Sequence, residues 1–239
     1  MTDYLNSEDQ VTLYRYDGVL EIPLVGDFVP YFGQATVDAI KSSVDRSDSN
    51  PVLFFNVDED AGKSMSKGRL NGFVQWLLEY PQPTIFSIRG DVRDATLEFA
   101  MACDVRVAAP SATYGMTQIA GGQMPNGGGV GLLTRLVGPG IAMDMLLTGR
   151  KLNGVEALDY GLVNYLYYDP ALTAKDLAIT IASHGKLAAR YTKEAVNAAG
   201  DMTFDQGARL EADLSFMLHG TPEREAGLAA FRAGRDPQK

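Results

Sequence analysis

The sequence predicts an α/β fold with mostly parallel strands, followed by a helical C-terminal region. In the first two thirds of the chain, short segments rich in β-branched and aromatic residues alternate with segments whose apolar residues recur at helical spacing. After about Tyr168 the strand pattern stops, and helical patterns alone follow. Strands that alternate with helices are typical of parallel pairing, and we expect the closing helices to form a lid, a subunit-packing segment or both.

The expected strands are short and cover 18–25, 51–57, 83–88, 104–109 and 162–167. Val37, Ile40 and Val44 keep helical spacing between the first and second of these strands. The apolar residues from Leu70 to Leu78 do so between the second and third. Further helices are expected at 130–136, 174–182, 186–199, 204–218 and 222–233.

The composition is that of an ordinary globular protein, with 46% hydrophobic and 21% charged residues. A formal net charge of −9 argues against nucleic-acid binding, which normally uses a basic face. The first residues show no signal-peptide pattern, and we see no apolar run near the ~18 residues that a membrane span needs. We therefore expect a cytoplasmic protein with neither nucleic acid nor membrane as a partner.

The sequence offers no candidate metal site. His184 and His219 are far apart and have no partners at ligand spacing, so both are expected on the surface of the terminal helices. The single cysteine, Cys103, lies in an apolar helical segment and is expected to be a buried small residue. We expect no metal and no bound cofactor.

Residues 83–104 are the most informative segment. An apolar strand runs into a short polar turn and then into a helix of small residues that carries Glu98. The first backbone N–H groups of that helix have no intrahelical partner and point into the crevice beyond the sheet. Backbone donors beside a carboxylate suit chemistry at a carbonyl or thioester. The alternative is an ordinary strand–turn–helix with a surface glutamate.

Two further segments are open to more than one interpretation. The glycine-rich segment 121–129 leads into an apolar helix and matches neither a Walker loop nor a Rossmann fingerprint. Its glycines allow a ligand or a neighbouring helix to approach the backbone closely, or they serve packing alone. The acidic run 58–60 follows a strand end, where it is either part of a ligand site or a solvated loop.

These residues together resemble the crotonase superfamily, that is, the enoyl-CoA hydratase/isomerase family. The match is carried, in order and at near-constant spacing, by residues 83–104, 112–115, 125–131, 133–138, 142–149, 157–163, 193–197 and 223–231. The resemblance implies a spiral of ββα units over residues 1–175, a helical region over 176–239 that packs subunits, and a homotrimer or hexamer. It also implies a coenzyme A or carrier-protein thioester as the substrate handle.

The same resemblance implies the roles of several residues. Glu98 falls on one of two family glutamates that act as acid and base, and Ala95 falls on a backbone donor to the thioester oxyanion. The other donor is placed near Gly62. Tyr114 and Asn126 fall in the substrate pocket, although Tyr114 suits core packing equally well. Lys63, with Lys67 and Arg69 beside it in the sequence, is either a phosphate contact or part of a solvated helix face.

Three departures from the family pattern affect the expected chemistry. The second family glutamate is replaced by Gln118, whose amide cannot exchange a proton at neutral pH. The glycine run before Glu98 reads Asp94-Ala95-Thr96, which places a negative charge near the oxyanion unless Asp94 caps the helix. The basic loop that helps hold the coenzyme A nucleotide is replaced by residues 26–31.

Three functional hypotheses follow. The first is an enoyl-CoA hydratase/isomerase-like lyase or isomerase in which Glu98 is the only matching carboxylate, with Gln118 beside it in the site. The second is a decarboxylase or dehydratase that acts on a carrier-protein-bound acyl group, because decarboxylation needs mainly an oxyanion hole and an apolar pocket. The third is a catalytically inactive thioester-binding homologue.

Overall fold

The structure, a computed structural model, describes residues 3–6, 12–24, 34–45, 50–58 and 71–232. Within these ranges seven strands form one sheet in the order β1-β2-β3-β4-β5-β7-β10. Their bounds are β1 Asp3–Asn6, β2 Thr12–Tyr16, β3 Val19–Leu24, β4 Val52–Val57, β5 Thr84–Ile88, β7 Val105–Ala108 and β10 Tyr165–Leu166. The pairings from β3 to β10 are parallel, and β1, β2 and β3 pair antiparallel at one edge. The expected α/β class and the mostly parallel pairing are confirmed.

A second, three-stranded sheet was not predicted. It has the order β6-β8-β9, with β6 Asp91–Arg93, β8 Thr113–Gly115 and β9 Lys151–Asn153. The short polar turn expected between the strand ending at Ile88 and the helix that carries Glu98 is therefore limited to Arg89 and Gly90, because Asp91 to Arg93 pair with β8. Strands of three mostly polar residues are too short to show an alternating pattern.

The helices pack on both faces of the large sheet. Their bounds are α1 Gln34–Asp45, α2 Asn71–Glu79, α3 Asp94–Ala102, α4 Gly129–Thr148, α5 Gly154–Asp159, α6 Pro170–Ser183, α7 Lys186–Ala199, α8 Phe204–Leu218 and α9 Pro222–Arg232. Apolar residues of α1, α2 and α3 pack with Leu53 and Phe55 of β4 in one core. Neighbouring strand residues point to opposite faces, so Phe54 of the same strand packs with α6 in a second core.

Helix α4 corrects one expectation. It is 20 residues long with a mean hydropathy of 1.4, so by length and composition alone it could cross a membrane. Arg135 and Asp144 interrupt its apolar residues, so it does not stand out in the sequence as an uninterrupted apolar run. The backbone breaks at Gly138, which has φ +77°, and Pro139 follows. Two shorter helices therefore meet there. A single helix of this length and hydropathy is weak evidence for a membrane span.

The expected run of C-terminal helices is confirmed by α6, α7, α8 and α9. The proposed division at 175/176 falls inside α6, whose Ala174 and Ala178 both pack on the sheet. His184 and His219 end α6 and α8 and are exposed, as expected. Cys103 is buried, as expected.

Candidate functional site

Helix α3 is anchored to the sheet by Phe99. The Phe99 ring meets the rings of Phe55 and Phe86 edge-on, with centroids 4.8 and 5.1 Å apart. Adjacent residues of a helix point about 100° apart, so the attachment of Phe99 to the sheet turns Glu98 towards the start of α4. The position of Glu98 is thus fixed by aromatic packing at the next residue.

The Glu98 carboxylate is buried, with 3% of the residue exposed. Its Oε2 accepts hydrogen bonds from the backbone N–H groups of Gly127 and Gly129, at 2.5 and 3.3 Å. Its Oε1 accepts from Nε2 of Gln118 at 3.5 Å, a long hydrogen bond. Oε2 is therefore held firmly by the backbone, and Oε1 keeps capacity for another partner. The alternative of a surface glutamate is wrong.

Burial raises the pKa of Glu98 above its ordinary value, and the nearby Asp94 carboxylate raises it further. The backbone N–H groups of Gly127, Gly129 and Asn126 act in the opposite direction, because they stabilise the ionised form. Loss of hydration outweighs these donors, so the carboxyl group holds its proton more tightly than a glutamate in water. Such a shift brings the group closer to the pKa that suits proton transfer near neutral pH.

The glycine-rich segment before α4 makes room for Glu98. A Cβ atom at Gly129 would lie 2.6 Å from Cε of Met116 and 2.7 Å from Cγ of Glu98, closer than carbon atoms normally approach. Of the interpretations that the sequence left open for this segment, close approach of a neighbouring helix is the one found at Gly129, because Glu98 belongs to α3. The sequence did not predict that the N–H groups of Gly127 and Gly129 bind the Glu98 carboxylate.

Gln118 lies beside Glu98, as the family resemblance implies, at the start of a short 3-10 helix, Gln118–Gly121. It is 7% exposed, and its Oε1 has no hydrogen-bond partner among the described residues. The same holds for Oγ1 of Thr96, a residue that is 1% exposed and lies two positions before Glu98. Buried polar atoms normally have partners. The unpaired Oε1 of Gln118, next to Glu98, therefore marks a position where water or a polar group of a ligand can bind.

The start of α3 is arranged as the sequence suggests, with one correction. Ala95 is the second residue of the helix and partly buried, so its N–H has no carbonyl partner within the helix. Asp94 does not cap the helix with its side chain. Its carboxylate instead accepts from the backbone N–H of Thr117 at 2.6 Å and from the Thr117 hydroxyl at 3.0 Å. Its backbone has φ +49°.

The structure places the other candidate residues as follows. Tyr114 is fully buried in β8 within the main core, burial raises the pKa of its hydroxyl, and its oxygen has no hydrogen-bond partner in the described part of the chain. Asn126 is exposed and directly precedes Gly127. Asp58 is exposed at the end of β4. The remaining candidates lie outside the described residues: Gly62, Lys63, Lys67, Arg69, residues 59–60 and residues 26–31.

A search of the described ranges for a metal site found no group of three or more His, Cys, Asp or Glu side chains that could hold an ion. The polar groups that the structure does bring together are Glu98, Gln118 and the backbone donors around them. These groups suit an organic ligand with a hydrogen-bond acceptor and an exchangeable proton.

Comparison with known proteins places the chain in a family. A model of the enoyl-CoA hydratase/isomerase family matches residues 58–238. A probable enoyl-CoA hydratase of Mycobacterium tuberculosis is 38% identical over 170 residues, which are 70% of this chain and 66% of the relative. The match thus spans just under two thirds of that relative. A crotonyl-CoA hydratase of Syntrophomonas wolfei is 31% identical over 230 residues, 95% of this chain and 83% of the relative.

The solved structures agree with the sequence matches. The crystal structure of an enoyl-CoA hydratase from Bacillus anthracis superposes with a TM-score of 0.84 at 25% identity, and the match covers 94% of this chain and 96% of that one. An enoyl-CoA hydratase from Thermoplasma volcanium, at 23% identity, superposes with a TM-score of 0.81 over 93% of this chain and 97% of that one. The fold expected from the resemblance is confirmed, and the chain belongs to the enoyl-CoA hydratase/isomerase family of the crotonase superfamily.

Proposed function

We propose that the protein is an acyl-thioester-processing enzyme, an enoyl-CoA hydratase/isomerase-like lyase or isomerase with Glu98 as its acid and base. The observation that carries this proposal is the buried Glu98 carboxylate. Two backbone N–H groups hold its Oε2, and the Gln118 amide beside it has an oxygen without a partner among the described residues. A carboxyl group held in this way is ready to exchange a proton with a bound molecule.

The N–H of Ala95 is the proposed donor to the thioester carbonyl oxygen. When the α-carbon loses a proton or the double bond moves, negative charge develops on that oxygen, and a fixed donor stabilises the charge more than it stabilises the ground state. Removal of one such donor typically costs about 10²–10³ in kcat. The second donor is proposed at Gly62, and Lys63 and Asn126 are proposed to contact the substrate.

Oε1 of Glu98 is the proposed site of proton transfer. Oε2 is occupied by the N–H groups of Gly127 and Gly129, whereas the hydrogen bond of Oε1 to Nε2 of Gln118 is long. An isomerase needs one group that removes a proton at one carbon and returns it at another, and a single carboxyl group can do both. The same group can assist hydration or dehydration by handling one of the two protons.

Gln118 is proposed to orient rather than to exchange protons. Its Nε2 donates to Glu98, so its amide oxygen is left as an acceptor that a water molecule or a substrate hydroxyl can use. Because the second carboxyl group of a two-carboxylate hydration is missing, we expect a hydratase activity to be slow. The loss of one general acid–base group typically costs about 10²–10⁴ in rate.

Coenzyme A is the proposed handle because the relatives are named for enoyl-CoA and crotonyl-CoA. An acyl carrier protein is the alternative handle. We further propose a cytoplasmic homotrimer or hexamer without metal or bound cofactor.

Mass spectrometry of a thioester panel tests the proposal. The purified protein is incubated with crotonyl, 3-hydroxyacyl, 3-enoyl and 3-methylglutaconyl thioesters, each on coenzyme A and on a carrier protein, with Glu98→Gln as the matched inactive control. Gain or loss of water, or a chromatographically resolved double-bond shift, that disappears in Glu98→Gln supports the proposal. Loss of carbon dioxide chiefly from carrier-bound substrates indicates a decarboxylase instead. Intact thioesters that bind tightly indicate an inactive binding protein.

A further inference from the structure

The residue before the proposed oxyanion donor has an unusual backbone conformation. Asp94 has φ +49°, in the left-handed region that residues with a Cβ atom rarely adopt. Aspartate and asparagine tolerate this region better than other non-glycine residues. The turn directs the chain from β6 into α3, so the direction of the Ala95 N–H depends on it.

The Asp94 carboxylate crosses from α3 to the segment that carries Gln118. Its Oδ1 accepts from the backbone N–H of Thr117 at 2.6 Å, and its Oδ2 accepts from the Thr117 hydroxyl at 3.0 Å. Thr117 is the residue directly before Gln118. One carboxylate thus joins the residue before Ala95 to the residue before Gln118.

By the proposed function, a ligand would contact the groups on either side of this link, the Ala95 N–H and the Gln118 amide. The amide oxygen of Gln118 and the hydroxyl of Thr96 are buried and have no partner among the described residues. The Ala95 N–H is free of intrahelical bonding because of its place in the first turn. A shift of α3 relative to the Gln118 segment would separate donors and acceptors that must contact one substrate together.

We propose that Asp94 is a positioning residue whose carboxylate, bound to Thr117, fixes the Ala95 N–H and the Gln118 amide relative to each other on a single acyl thioester. The inference rests on the proposed function. Asp94 is proposed to act through Ala95, which follows it in the chain, and through Gln118, which follows Thr117. Its charge also raises the pKa of Glu98. Asp94→Gly and Asp94→Asn both lack that charge, so the comparison of these two variants tests the link to Thr117 alone.

Three substitutions separate the parts of this role. Asp94→Gly allows the left-handed backbone but removes the carboxylate. Asp94→Asn keeps an Oδ1 acceptor for the Thr117 N–H and tolerates the same backbone region. Thr117→Val removes the hydroxyl donor and keeps the backbone N–H.

The test uses the full chain and a 2,4-dienoyl-CoA probe, whose absorbance moves to longer wavelength when donors polarise its thioester carbonyl. Affinity is measured in the same titration, and kcat and KM are measured on the substrate that the panel identifies. We expect Asp94→Gly to lose most of the absorbance shift and roughly 10- to 100-fold in kcat, with a much smaller change in KM, because small misplacements of reacting groups reduce rates by such factors. Asp94→Asn should recover most of both.

The outcomes distinguish this inference from the proposed function. If the wild type shifts the probe and turns over substrate while Asp94→Gly behaves identically, the positioning role is overturned and the proposed function stands. If the wild type gives neither shift nor turnover, both are overturned. If Asp94→Gly fails to fold, Thr117→Val carries the test. This variant leaves Oδ2 of Asp94 without its hydroxyl donor but keeps the backbone N–H bond, so we expect a partial loss of the shift and of kcat. A wild-type shift and kcat in that variant overturn the proposal that the complete Asp94–Thr117 link sets the geometry.

Discussion

Substitution of Gly129 by alanine should disable the site with little effect on stability. The added Cβ would lie 2.6 Å from Met116 Cε, 2.7 Å from Glu98 Cγ and 2.9 Å from Glu98 Cδ. The buried end of Met116 can yield only partly, and the middle of the Glu98 side chain cannot yield without moving the carboxylate. Glu98 must therefore shift away from its backbone donors at Gly127 and Gly129.

The expected magnitudes differ for stability and activity. Overpacking costs about 1–3 kcal/mol, and replacement of a helical glycine by alanine returns about 0.5–1 kcal/mol. The free energy of unfolding should fall by about 1 kcal/mol, which lowers Tm by about 2–4 °C for a chain of this size. Turnover should fall by about 10², because displacement of the acid–base group by about 1 Å has an effect of that order.

Gly131 offers a matched control in the same first turns of α4. It is exposed, and a Cβ at this position would meet no atom of the described residues within 4 Å. Gly131→Ala should raise the free energy of unfolding by about 0.5–1 kcal/mol and leave turnover unchanged. Thermal unfolding and initial rates are measured on both variants. Wild-type turnover in Gly129→Ala would refute the conclusion that Glu98 depends on the absence of a side chain there.

Three further predictions concern buried groups. Because the pKa of Glu98 is raised above its ordinary 4.5, its contribution to stability is complete below about pH 4.5 and is lost as pH rises through the folded-state pKa. In urea unfolding, the wild type should therefore lose stability relative to Glu98→Gln as pH rises over that window. A difference in stability that stays constant with pH would contradict this prediction. Tyr114→Phe removes a buried hydroxyl without a partner in the described chain, so the free energy of unfolding should stay equal or rise by up to about 1 kcal/mol, with unchanged kcat and KM; a changed KM would instead place Tyr114 in the pocket. Cys103 is buried and burial raises its thiol pKa, so a thiol reagent should label it only after unfolding, and rapid labelling of the native protein would be inconsistent with the fold.

Local patterns predicted much of the fold. The central strands consist almost entirely of buried apolar residues, as in β5, where every residue is buried, and such runs stand out in the sequence. The helical spacing of Val37, Ile40 and Val44 predicted α1 correctly, and all three residues pack in the main core. The family resemblance also placed Glu98 and Gln118 together, and the structure brings them into contact.

Contacts between distant segments were not predictable in the same way. The donors to Glu98 lie 29 and 31 residues further along the chain, and the Thr117 donors lie 23 residues from Asp94. No local pattern records which glycine faces which carboxylate. Asp94 was interpreted as a possible helix cap because capping is the commonest local use of aspartate at that position, and a tertiary partner at Thr117 took its place.

The initial rate of product formation by Glu98→Gln, measured against wild type on the preferred thioester of the panel, tests the central claim most directly. Thioester affinity and thermal unfolding are measured in parallel so that a change in binding or folding is recognised. We predict that Glu98→Gln lowers kcat by about 10²–10⁴ and retains thioester binding, because that is the usual contribution of a general acid–base group. A variant with the wild-type rate would contradict the assignment of Glu98 as the acid and base.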